Sequence, residues 1–136
     1  MKRIVLLSCS SLKLGYPAKA RYLYTGTSFK FSLQYAQKLN PDSIYILSAK
    51  FGLLSLDDHI APYDTHMGML DRTQLTIWRE KVILSLEKIT SLSDDRFIFL
   101  TGSLYYTPLL PFIKNYRLPL KGMGLGKRLA WLKGHR

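Results

Sequence analysis

Three short apolar segments constrain the fold of this chain more than any other feature. They are Lys2–Ser8, Ser43–Ser48 and Arg96–Leu100. Each is rich in β-branched or aromatic residues and is shorter than a buried helix, which predicts buried strands. Segments with helical spacing of apolar residues follow each of them. This alternation predicts an α/β fold with three layers: a mostly parallel sheet of about four strands with helices on both faces.

The remaining elements follow from caps, prolines and glycines. Thr27 or Ser28 is predicted to cap the first helix, and Asp71 or Thr73 the longest one. Residues 50–70, which are interrupted by Gly52, Pro62 and Gly68, are predicted to form a loop. The other predicted elements are helices over about 29–39, 72–91, 104–113 (weakened by two prolines) and 127–133, and an edge strand over about 116–120.

The length of 136 residues and the absence of repeats or linkers predict a single domain spanning 1–136. No apolar run is long enough to cross a bilayer, so no membrane partner is expected. The single cysteine, Cys9, cannot form an internal disulfide, which favours a reducing, cytoplasmic location. We interpret Cys9 as a small buried residue rather than a nucleophile. One cysteine and three histidines do not show the spacing of metal ligands, so no metal or cofactor is expected.

The charge is distributed unevenly along the chain. The net charge is +11; residues 1–41 contain seven Lys or Arg and residues 96–136 contain eight, and neither segment contains an acid. All nine acidic residues lie between Asp42 and Asp95. Two basic ends that converge in the fold would form a positive face, which favours partners that carry phosphates, namely nucleic acids or nucleotides.

The loops that follow the predicted strands meet at one edge of a parallel sheet. They contain hydroxyls, glycines and two lysines, groups that bind phosphate or sugar oxygens. The residues predicted to line this crevice are Ser8, Ser10, Lys13, Ser48, Lys50, Gly52, Gly102 and Ser103. Neither a GxGxxG sequence after the first strand nor a GxxxxGK[ST] sequence is present, which excludes the NAD-type and P-loop readings.

Three further features are candidates for the same site. Asp64 follows Pro62 and Tyr63, which can hold its carboxylate in place as a general base or as a stabiliser of positive charge on a sugar; a cap or an ion-pair partner is the structural alternative. The segment that contains Arg21 and Tyr24 suits base stacking, or equally a half-buried loop. The glycine-rich segment 122–128 suits close approach to phosphates, or a hinge before the last helix.

Four segments also carry a resemblance: LSCSSLK, LYTGTSF, YILSAKFGLLSLDDHIAPYD and GLGKRLAWL. Together they resemble a family of small bacterial and phage proteins that is classed as a domain of unknown function. The central segment is similar to the YaaA family of peroxide-stress proteins. A fainter similarity, to the glycosylase-like part of archaeosine synthases, rests on the run of Cys, Ser and Lys at the end of the first strand and on a later Tyr-Asp pair. The resemblance implies an α/β body and a link to nucleic acid or modified bases. The chain lacks the strand-end aspartate of uracil-DNA glycosylases, which counts against uracil excision.

The sequence therefore predicts a protein that binds nucleic acid or a nucleotide at the strand-end crevice. Its expected chemistry, if it is an enzyme, is on an N-glycosidic bond or a modified base, with Asp64 as the catalytic carboxylate. Arg21, Tyr24 and the crevice residues would bind substrate. The alternative is a DNA-binding protein of stress response or phage defence without catalysis. A deep pocket that contains Asp64 would favour the enzyme, and a shallow basic surface would favour the binder. The oligomeric state is left open.

Overall fold

A computed structural model describes residues 1–136 and contains one main sheet and one small one. The strands, in chain order, are β1 (Arg3–Ser8), β2 (Ala18–Lys19), β3 (Ser43–Ser48), β4 (Gly52–Ser55), β5 (His59–Ile60), β6 (Arg96–Leu100) and β7 (Asn115–Arg117). The α-helices are α1 (Ala20–Leu23), α2 (Thr27–Lys38), α3 (Arg72–Ile89), α4 (Ser103–Tyr106) and α5 (Leu125–His135). Two short 3₁₀ turns complete the list, at Met67–Met69 and Leu110–Phe112. None of the helices is long and apolar enough to cross a membrane.

The main sheet has five strands in the order β4-β3-β1-β6-β7. All neighbouring pairs are parallel except β3 and β4, which form an antiparallel hairpin. From β1 the chain moves to β3 on one side, whereas β6 and β7 lie on the other side. The connections therefore diverge between β1 and β6. Open α/β sheets bind ligands outside the carboxyl ends of the strands at such a switch point.

Alternating residues of β1 contact two different hydrophobic clusters, one on each face of the sheet. Val5 and Leu7 pack with residues of α1, α2 and α5. Ile4 and Leu6 pack with residues of α3 and of the chain that leads from α4 to β7. All four side chains are fully buried. The period of two in a strand explains this division. The predicted three-layer α/β fold is confirmed.

Helices α2 and α5 lie side by side and run in the same direction. The Tyr35 ring of α2 packs edge-to-face on the Trp131 ring of α5, with centroids 5.1 Å apart. Near their C-terminal ends, Lys38 Nζ donates to the carbonyl of His135 at 3.2 Å and Arg136 donates to Gln34 at 2.8 Å. Because the carboxyl ends of the two helices are together, their N-terminal ends also lie on the same side of the molecule, at the carboxyl edge of the sheet.

The prolines shorten the predicted helix over 104–113 more than expected. Only Ser103–Tyr106 is α-helical, and a 3₁₀ turn at Leu110–Phe112 follows. Pro108 and Pro111 have no N–H to donate and clash with the preceding turn, so a continuous helix cannot form. The predicted edge strand exists, but it lies at Asn115–Arg117 and not over 116–120.

The cap of α2 differs from the prediction. Gly26 is the N-cap, and Thr27 and Ser28 are the first helical residues. The Gly26 N–H donates to Ser10 Oγ at 3.1 Å, and a Cβ at position 26 would collide with that oxygen. In α3, Asp71 is the N-cap as predicted and forms a reciprocal capping box with Gln74. The last helix begins at Leu125, two residues earlier than predicted.

The segment 50–70 is more ordered than the predicted loop. It contains β4, which adds a fifth strand to the sheet, and β5, which pairs with β2. The hairpin between β3 and β4 turns through Gly52, whose φ is +78°. Glycine adopts this left-handed conformation without the steric cost that a Cβ brings. The pairing of Ala18 with Ile60 ties the segment to the first long connection.

Candidate ligand-binding cavity at the carboxyl edge of the sheet

A cavity of about 510 Å³ opens beside the carboxyl ends of β1 and β6. It therefore lies at the switch point of the sheet. Four parts of the chain line it: the loop after β1, the first turns of α2, the segment after β6, and α5. The lining residues are Ser8, Cys9, Ser10, Ser11, Leu12, Gly26, Thr27, Ser28, Phe29, Ser32, Gly102, Ser103, Leu104, Tyr105, Leu125, Arg128 and Leu129. The lining contains one cation and no carboxylate.

Two helices begin at this cavity, and both have a glycine as N-cap. Gly26 caps α2 and Gly124 caps α5, and neither helix has a side-chain acceptor at its first amides. The first N–H groups of a helix have no intrahelical acceptor, so those of Thr27, Ser28 and Phe29 remain available. The parallel dipoles of α2 and α5 place partial positive charge at the same edge. An anion there would be stabilised by both helices.

Arg128 extends from the first turn of α5 into this region. Its Nε is buried and has no hydrogen-bond partner. Its guanidinium packs against Gly102, where an added Cβ would lie 3.0 Å from Nη1. Arg128 also lines a neighbouring cavity of about 290 Å³ together with Gly122 and Gly124. A guanidinium without a carboxylate partner, between two cavities, is available to pair with an anionic ligand.

Ser32 is a buried polar residue whose hydroxyl has no partner in the protein. It is 4% exposed and lines the cavity from the second turn of α2. The Ser32 Oγ is not itself cut off from solvent, so the hydroxyl is accessible from the cavity. A polar ligand in the cavity would satisfy this hydroxyl.

Cys9 and Tyr105 form a contact within the cavity. Cys9 Sγ and the Tyr105 hydroxyl lie 3.2 Å apart. Burial, and secondarily the nearby Cys9, raise the pKa of Tyr105, so its hydroxyl is protonated at neutral pH and can donate to the sulfur. Cys9 packs against the core and is also part of the cavity lining. Its side chain is therefore accessible to a ligand, which the expectation of a small buried residue did not include.

A second polar cluster lies beside β3, the neighbour of β1. We call it the tyrosine cluster: the hydroxyls of Ser48, Tyr63 and Tyr24. The Tyr63 hydroxyl is 2.6 Å from Ser48 Oγ and 2.6 Å from the Tyr24 hydroxyl. All three residues are buried, and the Ser48 carbonyl accepts from Trp78 Nε1 at 2.8 Å. Lys13 Nζ lies 4.5 Å and Lys50 Nζ 5.9 Å from the Tyr63 ring centroid.

The structure places the predicted site residues in two groups. Ser8, Ser10, Gly102 and Ser103 line the cavity. The other group consists of two members of the tyrosine cluster and of residues next to it. It comprises Lys13, Tyr24, Ser48, Lys50 and Gly52, which pairs with Ser48 across the β3–β4 hairpin.

Two predicted residues belong to neither group. Arg21 forms an ion pair with Asp57 at 2.9 Å. Asp64 is exposed, makes no hydrogen bond or ion pair, and is not part of the cavity lining. The protein also contains no group of three or more His, Cys, Asp or Glu side chains close enough to hold a metal ion.

Sequence reasoning missed three of the residues that define these sites. Tyr105 and Ser32 gave no signal, since each lies within a helical pattern with no motif. Tyr63 was considered only as support for the loop that contains Asp64. Arg128 was considered only as the last residue of the glycine-rich segment. That its guanidinium reaches Gly102 and the cavity follows from the packing of α5 and not from the sequence.

A comparison with known families finds one match: DUF6884, a family described as of unknown function, over residues 4–134. The chain belongs to this family. The matched region contains all the strands apart from the first residue of β1. It also contains α2, all of α5 but its last residue, and all the residues that line the cavity. Membership assigns no activity, because none is described for the family. No curated protein matches the chain.

Proposed function

We propose that this protein binds a nucleotide unit, free or within a nucleic acid, in the cavity between β1 and β6. The phosphate would lie at the N-terminal ends of α2 and α5. The observation that carries the proposal is that two parallel, glycine-capped helices and Arg128 converge on a cavity without any carboxylate.

A phosphate group matches the donors on this side of the cavity. The free amides of Thr27 and Ser28 can donate to one oxygen, as at other helix N-termini that bind phosphate. The Arg128 guanidinium offers a planar fork of donors to a second oxygen. The Ser32 hydroxyl lies deeper and provides a further polar contact. None of these groups would have to break a hydrogen bond to another part of the protein in order to bind the phosphate.

The remaining part of the cavity suits a nucleoside. A volume of about 510 Å³ lies within the usual range for small-molecule sites, roughly 300–1,000 Å³. Phe29, Leu125 and Leu129 supply apolar surface, and Tyr105 supplies an aromatic ring with a hydroxyl. The net charge of +11 would attract a polyanionic strand as well as a free nucleotide. The resemblance of the central segment to the YaaA family, which rests on the sequence alone, also favours a link to nucleic acid.

Calorimetric titration with adenosine 5′-monophosphate, inorganic phosphate and adenosine tests the proposal. We expect the monophosphate to bind more tightly than either part alone. Arg128→Gln should lower its affinity roughly 10- to 100-fold, the loss of a charge-assisted hydrogen bond. Lys133→Gln is the matched control, because it removes the same charge from an exposed position further along α5. Equal affinities in the two variants, or no binding to the wild type, would refute the proposal.

Chemistry on an N-glycosidic bond remains a prediction within this framework. A pocket was expected to favour an enzyme only if it contained Asp64. The cavity provides a pocket, but Asp64 does not line it. Asp64 directly follows Tyr63 of the tyrosine cluster, and catalysis would require its exposed carboxylate to approach the sugar of a bound ligand. The non-catalytic, DNA-binding alternative requires no such movement. A cytoplasmic location is part of the same proposal.

A further inference from the structure

The tyrosine cluster contains more hydroxyl hydrogens than hydrogen bonds between its hydroxyls. Ser48, Tyr63 and Tyr24 bring three hydrogens, but only two contacts join their oxygens. Ser48 Oγ already accepts from the amides of Lys50 and Phe51, at 3.3 and 3.0 Å. None of the three hydroxyls has another acceptor in the protein. One hydroxyl hydrogen is therefore left without a partner, whichever way the chain of bonds is oriented.

Ionisation does not remove this surplus hydrogen at neutral pH. Burial raises the pKa of Tyr24 to about 12, and burial together with the nearby Cys9 also raises the pKa of Tyr63. Both phenols therefore stay protonated. Tyr24 is 1% and Tyr63 7% exposed, so an acceptor from outside the protein can reach the cluster only through the small exposed part of Tyr63.

Two ammonium groups lie over the ring of Tyr63. Lys13 and Lys50 come from different loops, yet both place Nζ within 6 Å of the Tyr63 ring centroid. Neither forms an ion pair; the protein contains a single one, between Arg21 and Asp57. The one polar contact of either ammonium is that of Lys13 with the carbonyl of Ser11, at 3.4 Å. Two ammonium groups near the same ring, neither of them with an ion-pair partner in the protein, favour a bound anion.

We propose that Lys13, Lys50 and the tyrosine cluster form a second anion subsite, and that the ligand therefore carries two anionic groups. This inference rests on the proposed function, in which the first anionic group lies at α2 and Arg128. The anion would accept the surplus hydroxyl hydrogen and pair with both ammonium groups.

The two subsites lie on either side of Cys9. The Cys9 amide donates to the carbonyl of Leu47 at 3.0 Å, which places Cys9 beside Ser48 on the adjacent strand. Cys9 itself lines the cavity that contains Arg128. A ligand that spans both subsites therefore crosses the carboxyl end of β1.

A nucleotide with a phosphate on both its 5′ and its 3′ side has the required chemistry. This unit occurs within a nucleic-acid strand and also in free nucleoside bisphosphates. A nucleoside 5′-monophosphate would fill only one of the two subsites. The subsite thus distinguishes between nucleotide ligands that otherwise share the cavity.

Calorimetric titration with adenosine 3′,5′-bisphosphate and adenosine 5′-monophosphate, at about 0.15 M salt to limit long-range effects, tests the inference. We expect the wild type to prefer the bisphosphate by about tenfold or more, the gain from one charge-assisted contact. The double variant Lys13→Gln/Lys50→Gln should lose this preference and keep its affinity for the monophosphate. Tyr63→Phe should lower bisphosphate affinity roughly 3- to 10-fold, the loss of one neutral hydrogen bond.

The matched control is Lys88→Gln/Lys133→Gln, which removes two charges from exposed positions on other elements. It should retain the bisphosphate preference. Equal binding of both nucleotides to the wild type, with the monophosphate still dependent on Arg128, would overturn the second subsite and leave the proposed function intact. A bisphosphate preference that survives in the Lys13/Lys50 variant would also overturn it. Failure of both nucleotides to bind would refute the proposed function itself. If the bisphosphate is preferred, a short single-stranded oligonucleotide that competes with it identifies a strand as the source, and absence of competition identifies the free nucleotide.

Discussion

We expect Ser48→Ala to destabilise the fold far more than the loss of one exposed hydroxyl would. Ser48 is fully buried at the end of β3, and its Oγ takes part in three hydrogen bonds. Two of them come from the amides of Lys50 and Phe51 in the turn of the β3–β4 hairpin. The third joins Ser48 to Tyr63. Alanine keeps the backbone but offers no acceptor to the two amides and no hydroxyl partner to Tyr63.

The magnitude follows from the individual contacts. The Phe51 amide loses a 3.0 Å bond, which costs about 1–2 kcal/mol because the amide is partly buried. The Lys50 amide loses a weaker, 3.3 Å bond, at about 0.5 kcal/mol. Tyr63 keeps Tyr24 as a partner, so its lost bond costs about 1 kcal/mol. The total is about 2–4 kcal/mol, or a decrease of roughly 6–16 °C in melting temperature for a chain of this size.

Urea and thermal unfolding, followed by far-UV circular dichroism, measure this loss. Ser85→Ala is the matched control: the Ser85 hydroxyl donates only to the carbonyl of Lys81 on the surface of α3. The control should stay within about 0.5 kcal/mol of the wild type. A loss below about 1 kcal/mol for Ser48→Ala, with an unchanged dependence on urea, would show that the hydrogen bonds of the tyrosine cluster do not stabilise the hairpin.

Three further outcomes are expected. Gly52→Ala should cost about 1–2 kcal/mol, since φ is +78° there; an unchanged urea midpoint would contradict this. The Ser91 amide, and after it the Lys2 amide, lower the pKa of Asp95. The stability that this carboxylate contributes is present above the unfolded pKa near 3.8 and is lost as pH falls through the folded pKa, so Asp95→Asn should make stability less dependent on pH in acid; an unchanged acid dependence would count against the carboxylate. Asp64→Asn should leave the melting temperature unchanged, because Asp64 is exposed and unbonded, and abolish any N-glycosidic turnover; an equally active variant would exclude Asp64 as the catalytic carboxylate.

The strands and the general fold could be predicted from local patterns. The segments 43–48 and 96–100 agree residue for residue with β3 and β6, because a short apolar run between turn signals has few other ways to bury itself. Asp71 and Gln74 form a cap whose partners are three residues apart, so sequence spacing alone reveals it. The separation of basic ends from the acidic middle is likewise a property of the sequence.

The β3–β4 hairpin shows where local patterns stopped being sufficient. Gly52–Ser55 is only four residues long and its pairing with β3 depends on a turn at a positive-φ glycine. The segment had no period long enough to predict a strand, and the turn that leads into it is bonded to Ser48, whose Oγ accepts from the amides of Lys50 and Phe51. Short edge strands take their conformation from their neighbours rather than from their own propensity.

The candidate sites were decided by tertiary structure. Gly26 caps α2 because Ser10, sixteen residues earlier, occupies the space that a side chain would need. Arg128 reaches the cavity because α5 packs parallel to α2 and Gly102 leaves room for its guanidinium. The sequence by itself determined which segments form strands and helices, since those depend on neighbours within a few residues. Which side chains meet at the carboxyl edge depended on contacts between distant segments, and only packing of the whole chain brings those together.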